Sequence, residues 1–106
     1  MSSSSDLDGY QTAAVRTVNP SLTDKQRLLD AAAGLAEEAG EVLAHVRKHV
    51  MQGRALDQSA LTRELGDALW CLAVVAREID VPLSEVAAIN VEKLRQRHPE
   101  GFRAPD

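Results

Sequence analysis

The chain has 106 residues, enough for one domain with one small core and too few for a separate cofactor-binding module. It is 44% hydrophobic, 26% charged and only 3% aromatic, with Ala and Leu prominent and few β-branched runs, a composition that points to an all-α protein. A formal charge of −4 argues against the basic surface that grips a nucleic-acid polymer, and any anionic ligand of so acidic a chain needs a cation to mediate its binding. The longest apolar run, the nine residues from Ala68 to Ala76, falls short of the roughly 20 needed to span a membrane. The single cysteine, Cys71, has no internal disulfide partner, and no basic-then-hydrophobic leader opens the sequence, so a reducing cytoplasm is the expected location.

Residues 1–5 read as a disordered polar tail, residues 6–102 as the folded domain and residues 103–106 as a flexible tail. The first helix is predicted over about Leu7 to Thr17, stopping before Asn19-Pro20 because the residue before proline is pushed out of the α region. The second begins at Thr23, which forms a T-x-x-Q capping box with Gln26, and runs to about Val50 before Gly53 breaks it. Its apolar positions Leu28, Ala32, Leu35, Ala39, Val42 and Val46 predict one buried stripe. The third helix, about Gln58 to Ile79 with Asp57 or Ser59 as cap, repeats the pattern through Leu61, Leu65, Ala68, Leu72, Val75 and Ile79. The fourth follows Pro82, spans about Leu83 to Arg97 and ends before Pro99. Short connections make the second and third helices antiparallel neighbours in a small helical bundle.

The segment "GLAEEAGEVLAHV" crowds Glu37, Glu38 and Glu41 into little more than one turn, although the like charges of Glu37 and Glu41 at i, i+4 repel. Glu38 and Glu41 lie about 60° apart on the helical wheel and about 4.5 Å apart along the axis, so they share a face. Glu64 and Asp67 in "ELGDALW" repeat the i, i+3 spacing on the third helix. Residues at one level of an antiparallel hairpin have position numbers with a constant sum, a condition met by 38 with 67 and by 41 with 64. The two pairs are therefore predicted to converge between helices about 8–10 Å apart, where they resist ionisation unless a cation compensates them. An all-oxygen ligand set suits Mg²⁺ or Mn²⁺ rather than zinc. A di-iron centre would require Glu-x-x-His pairs, and here Ala44 follows Glu41 and Asp67 follows Glu64 at that spacing. His45 lies near the acidic face but reads as a packed or water-bonded side chain, and His49 and His98 carry less information.

On the fourth helix, "NVEKLRQR" sets Asn90, Lys93 and Arg97 within about 60° of one face. Cations near a helix C-terminus also serve as ordinary dipole compensation. Beside a metal they are what a polyphosphate substrate requires, the metal bridging phosphate oxygens and the side chains supplying the remaining donors. Lys48, on the acid-bearing side of the second helix, is a further candidate phosphate contact or a solvated lysine. Trp70 falls away from the third helix's stripe, toward the first helix, a subunit contact or a base.

Together these segments resemble the MazG-like all-α nucleoside triphosphate pyrophosphohydrolases, whose E-E-x-x-E, spacer, E-x-x-D pattern is matched here by Glu37, Glu38, Glu41, Glu64 and Asp67. The resemblance extends to "YQTAAVRT" at residues 10 to 17, "LGDALW" at 65 to 70 and "NVEKLRQRHPEGF" at 90 to 102. It implies a four-helix MazG-like bundle assembled as a homodimer or dimer of dimers, and Mg²⁺-dependent conversion of a ribo- or deoxyribonucleoside triphosphate to the monophosphate and pyrophosphate, in a nucleotide house-cleaning role. It further implies that Glu38, Glu41, Glu64 and Asp67 hold Mg²⁺, with Mn²⁺ as a substitute, while Glu37 binds a further ion or orients the attacking water. Lys48, Asn90, Lys93 and Arg97 are then the phosphate or sugar contacts. The resemblance departs at Cys71, where many relatives carry a tyrosine bordering the nucleoside; Tyr10, Gln11 or Trp70 are the candidates to replace it. The alternatives are a catalytically weak nucleotide-binding regulatory module, and a structural helical oligomer whose acids form a solvated face. A small four-helix chain is also expected to bury apolar surface against a second copy.

Overall fold

The computed structural model describes residues 3–104. These form four helices and no strand: α1 (Ser3–Val15), α2 (Asp24–Gln52), α3 (Gln58–Glu78) and α4 (Leu83–Arg97). No helix among the described residues is long and apolar enough to cross a membrane. Helix α1 takes in Ser3 to Ser5, read from sequence as part of a tail, while Met1, Ser2, Pro105 and Asp106 lie outside the described residues.

Helix α1 also ends two residues before the expected Thr17. At its end Ala14 O accepts from the Thr17 N–H at 3.1 Å, the Thr17 hydroxyl at 2.7 Å and the Trp70 indole N–H at 3.1 Å, and Val15 O accepts from the Val18 N–H at 3.4 Å. Such groups satisfy the carbonyls that a helix end leaves unpaired. Both halves of the α2 capping box form, Gln26 N–H to Thr23 Oγ1 at 3.2 Å and Thr23 N–H to Gln26 Oε1 at 2.9 Å. Gly53 ends α2 in the left-handed region at φ 66°, a conformation glycine adopts without steric cost. Asp57, one of the two caps expected for α3, accepts from Ala60 N–H at 3.0 Å.

The α3–α4 turn passes through Asp80 at φ 59°, and Val81 N–H returns to Ala76 O at 2.9 Å. Pro82 begins α4 without a side-chain cap of its own. The caps come from α1 instead. Asp8 Oδ1 accepts from Ser84 N–H at 2.9 Å, Asp8 Oδ2 accepts from the Ser84 hydroxyl at 2.7 Å, and Gln11 Oε1 accepts from Leu83 N–H at 2.9 Å. The Gln11 amide donates in turn to Ala73 O and Val81 O, both at 3.1 Å, so a buried polar side chain ties α1, α3 and α4 together with its polar atoms paired. Around it lies the small core of Ala14, Ala73, Ala76 and Leu83, with Leu7, Tyr10 and Trp70 packed on it.

The longest helix, α2, packs on α3 alone. Leu28, Leu35 and Val42 lie half-buried on the side of α2 that carries the buried Ala31, whereas Ala32, Ala39 and Val46 of the expected stripe are exposed. On α3, Leu61, Ala68 and Val75 are half-buried, but Leu65, Leu72 and Ile79 are exposed, and the fully buried positions are Cys71, Ala73, Val74 and Ala76. The apolar character of α3 extends around most of its circumference, so a single i, i+3/i+4 count mixes the side packed on α2, the side packed on α1 and α4, and a side that nothing among the described residues covers.

Candidate metal centre

Three contacts fix the register of the α2–α3 hairpin. Arg27 Nε approaches Glu78 Oε2 at 3.4 Å, a Cβ built on Gly34 would lie 3.0 Å from Cys71 Sγ, and Glu38 meets Asp67. Each pair has the same position sum, as the antiparallel pairing predicts. Residues 34 and 38 are one turn apart on α2, as are 67 and 71 on α3, so Gly34–Cys71 is the layer next to the acids.

Carboxylate oxygens of Glu38, Glu64 and Asp67 lie within 4.8 Å of one another, with Glu38 and Glu64 half-buried and Asp67 exposed. Glu38 Oε2 is buried and has no hydrogen-bond partner. The neighbouring Glu64 carboxyl, with which Glu38 can share a proton, is the main reason that the Glu38 carboxyl is pushed up from 4.5 to about 7; burial and the negative charges of Glu64, Asp67 and Glu41 act in the same direction. An orphaned oxygen on a Glu38 carboxyl that resists ionisation is the local chemistry that a hard cation relieves, and oxygen donors are the ones Mg²⁺ and Mn²⁺ take. The donor set therefore fits a hard divalent cation. Glu41 is exposed and outside the closest group, turned toward solvent by its offset around the helix, yet near enough for its charge to act on Glu38. Glu37 is exposed on the same flank. No histidine joins the group among the described residues; His49 Nδ1 instead lies 2.7 Å from Arg54 O.

Tyr10 borders this layer: burial first, then the charge of Asp67 and then Cys71, push its phenol above the ordinary value. The Cys71 thiol is likewise pushed up, chiefly by burial and then by Glu38 and Asp67, so it stays protonated within the helix interface. Trp70 turns the other way, its indole N–H donating to Ala14 O and, at 2.8 Å, to Thr17 Oγ1. Gln11 directs its amide to backbone groups of α3 and α4.

Lys48, Asn90, Lys93 and Arg97 are all exposed; Lys48 is on α2 with Glu38, and α4 packs on α1 and α3 but not on α2. Asn90 and Lys93 line an open groove of about 610 Å³ whose walls include Leu69, Ile79, Val86 and Ile89. Arg97 lies beyond it, in a separate hollow with His98 and Arg103. The groove that Asn90 and Lys93 line and the hollow that holds Arg97 do not include the acids. The sequence reading missed the Asp8 and Gln11 caps and the Gly34 notch. A glycine inside an alanine-rich helix was the only local sign of the last.

Fold and site together define a small all-α protein with a carboxylate cluster between two antiparallel helices. Residues 26–102 match the MazG nucleotide pyrophosphohydrolase domain, and the chain belongs to that family. It is similar to the Gene 37 protein of Mycobacterium phage L5, with 34% identity over 103 residues that cover 90% of each chain. No solved structure gives a significant match.

Proposed function

We propose that the protein is a Mg²⁺-dependent nucleotide pyrophosphohydrolase that converts a nucleoside triphosphate to the monophosphate and pyrophosphate. The observation that carries this reading is the buried, unpartnered Glu38 oxygen amid Glu64 and Asp67, in a chain of this family. Glu38, Glu64 and Asp67 hold the ion, Glu41 completes the set from the solvent side, and Mn²⁺ substitutes. When bound, the ion supplies positive charge to the oxygens of the reacting phosphates. Glu37 and Glu41, exposed beside the cluster, are placed to orient water and accept its proton at a carboxylate oxygen. Lys48, Asn90, Lys93 and Arg97 neutralise and position the polyphosphate, and Tyr10, at the edge of the acid layer, is the best placed of the aromatic side chains to border the nucleoside.

The functional unit is a homodimer or a dimer of dimers. Helix α2 packs on α3 alone, and Leu43, Val46 and Val50 on α2, with Leu65, Leu69 and Leu72 on α3, are exposed in the single chain. A second copy laid on this surface buries it and can add groups of its own to the site. Residues 6–102 act as one domain, in a reducing cytoplasm where Cys71 remains a free thiol. Separation of the products formed from nucleoside triphosphates with Mg²⁺ or with EDTA tests the reading. Metal-dependent monophosphate and pyrophosphate support it, and nucleotide binding without turnover replaces it with a regulatory binding module.

A further inference from the structure

From the contact between Gly34 and Cys71 we infer that Gly34 is a positioning residue for the acid layer. The notch left by its missing side chain sets the α2–α3 separation at which Glu38, Glu64 and Asp67 close on an ion small enough to be Mg²⁺. This rests on the metal reading proposed above.

Glycine is a poor helix former, and α2 is otherwise rich in alanine around this point, in "DAAAGLAEEAG". Gly40, in the same helix, and Gly66, in α3, have nothing within 4 Å of a built Cβ. Gly34 differs, because its Cβ would meet Cys71 Sγ at 3.0 Å. Cys71 is 5% exposed, and helix sterics exclude one of its three staggered χ1 positions, so its sulfur has little room to turn aside. A contact this tight has to give by a few tenths of an ångström, and with Cys71 buried between the helices we assign that movement to their separation. Both residues are one turn from acids on the same helix faces, Gly34 from Glu38 and Cys71 from Asp67, so a separation forced at one layer passes to the next.

The direction matters for the choice of ion. Mg²⁺ demands oxygen ligands at about 2.0–2.1 Å in near-octahedral geometry, whereas Ca²⁺ accepts about 2.3–2.6 Å with flexible coordination. The oxygens of Glu38, Glu64 and Asp67, within 4.8 Å of one another, must draw in further around Mg²⁺. Wider helix spacing therefore penalises Mg²⁺ more than Ca²⁺, which a loss of stability alone does not do.

The experiment is calorimetric titration of the full chain with Mg²⁺ and, separately, Ca²⁺, for wild type, Gly34→Ala, Gly34→Ala with Cys71→Ala, and Gly40→Ala as the helix-propensity control. Gly34→Ala is expected to lose about tenfold or more in Mg²⁺ affinity, with a clearly smaller change for Ca²⁺. Adding Cys71→Ala is expected to restore the Mg²⁺ affinity, and Gly40→Ala to leave both affinities as in wild type. Cys71→Met enlarges the same contact from the α3 side and must give the same selective loss, which keeps the test decisive if Gly34→Ala does not fold. Wild-type Mg²⁺ affinity in folded Gly34→Ala, equal losses for both ions, or no restoration by Cys71→Ala overturns the inference. If the wild type binds neither ion, the metal reading itself fails. The α2–α3 separation in crystals of Gly34→Ala then decides the spacing role: a wider gap at Glu38 and Asp67 upholds it and an unchanged gap overturns it.

Discussion

Glu38 on α2 and Glu64 on α3 stand so close across the helix interface that the pair retains a proton near neutrality, with the Glu38 carboxyl pushed up to about 7. A carboxyl that holds its proton more tightly when folded than its ordinary value of 4.5 makes the folded state the better proton binder between the two values. Metal-free protein should therefore lose stability as pH rises from about 4.5 to about 7 and change little from this source above that. Added Mg²⁺ should raise the melting temperature increasingly through the same window, because the ion displaces the proton. Glu38→Gln should be more stable than metal-free wild type at pH 8 and should lose both the pH slope and the Mg²⁺ effect. Thermal melts at pH 5 and pH 8, with and without Mg²⁺, decide this. A Glu38→Gln variant that melts lower than wild type at pH 8 without metal contradicts it.

The Gln11 amide is a structural brace. Gln11→Leu keeps the bulk but leaves the buried N–H of Leu83 and the carbonyls of Ala73 and Val81 without this partner. Each such unsatisfied group costs about 1–3 kcal/mol, so a destabilisation of about 2–4 kcal/mol is expected after partial solvent rescue. Chemical denaturation measures it. A change below about 0.5 kcal/mol, the level of an ordinary surface substitution, would show that the three bonds do not hold α1 against α4.

In the proposed assembly the exposed rows of α2 and α3 form the contact between copies. Leu72 is 44% exposed in the single chain. Leu72→Lys, which places a charge in that surface, should convert the proposed oligomer to a species of 11.5 kDa while leaving the helical content intact. Sedimentation at micromolar concentration reads this directly. Wild-type protein that sediments only at the mass of one chain contradicts the proposed assembly.

Local chemistry made much of this fold legible. Thr23 with Gln26, Gly53 and Asp57 mark their helix ends through groups a few residues away, and each forms the bond or conformation its type favours. The hairpin register could also be read, because the matched i, i+3 acid pairs admit one antiparallel alignment that brings Glu38 to Asp67. What the sequence could not convey was tertiary. The Trp70 indole that bonds the end of α1 is more than 50 positions away, and the caps of α4 come from Asp8 and Gln11 on another helix. The apolar periodicity of α2 and α3 does not say which flank meets the partner helix and which stays open, so Ala32, Ala39, Leu65 and Leu72 read as core although the single chain exposes them.

Whether the acid layer serves metal-dependent hydrolysis is read by a product assay on wild type and Asp67→Ala. Standard and modified ribo- and deoxyribonucleoside triphosphates are supplied with Mg²⁺ or with EDTA, and monophosphate plus pyrophosphate is resolved from diphosphate plus phosphate. Asp67 is exposed, so its replacement should leave the fold intact. The account predicts monophosphate and pyrophosphate from wild type with Mg²⁺ only, and a loss of at least about a hundredfold in folded Asp67→Ala. Turnover that persists in EDTA, or near-normal turnover in Asp67→Ala, would contradict it.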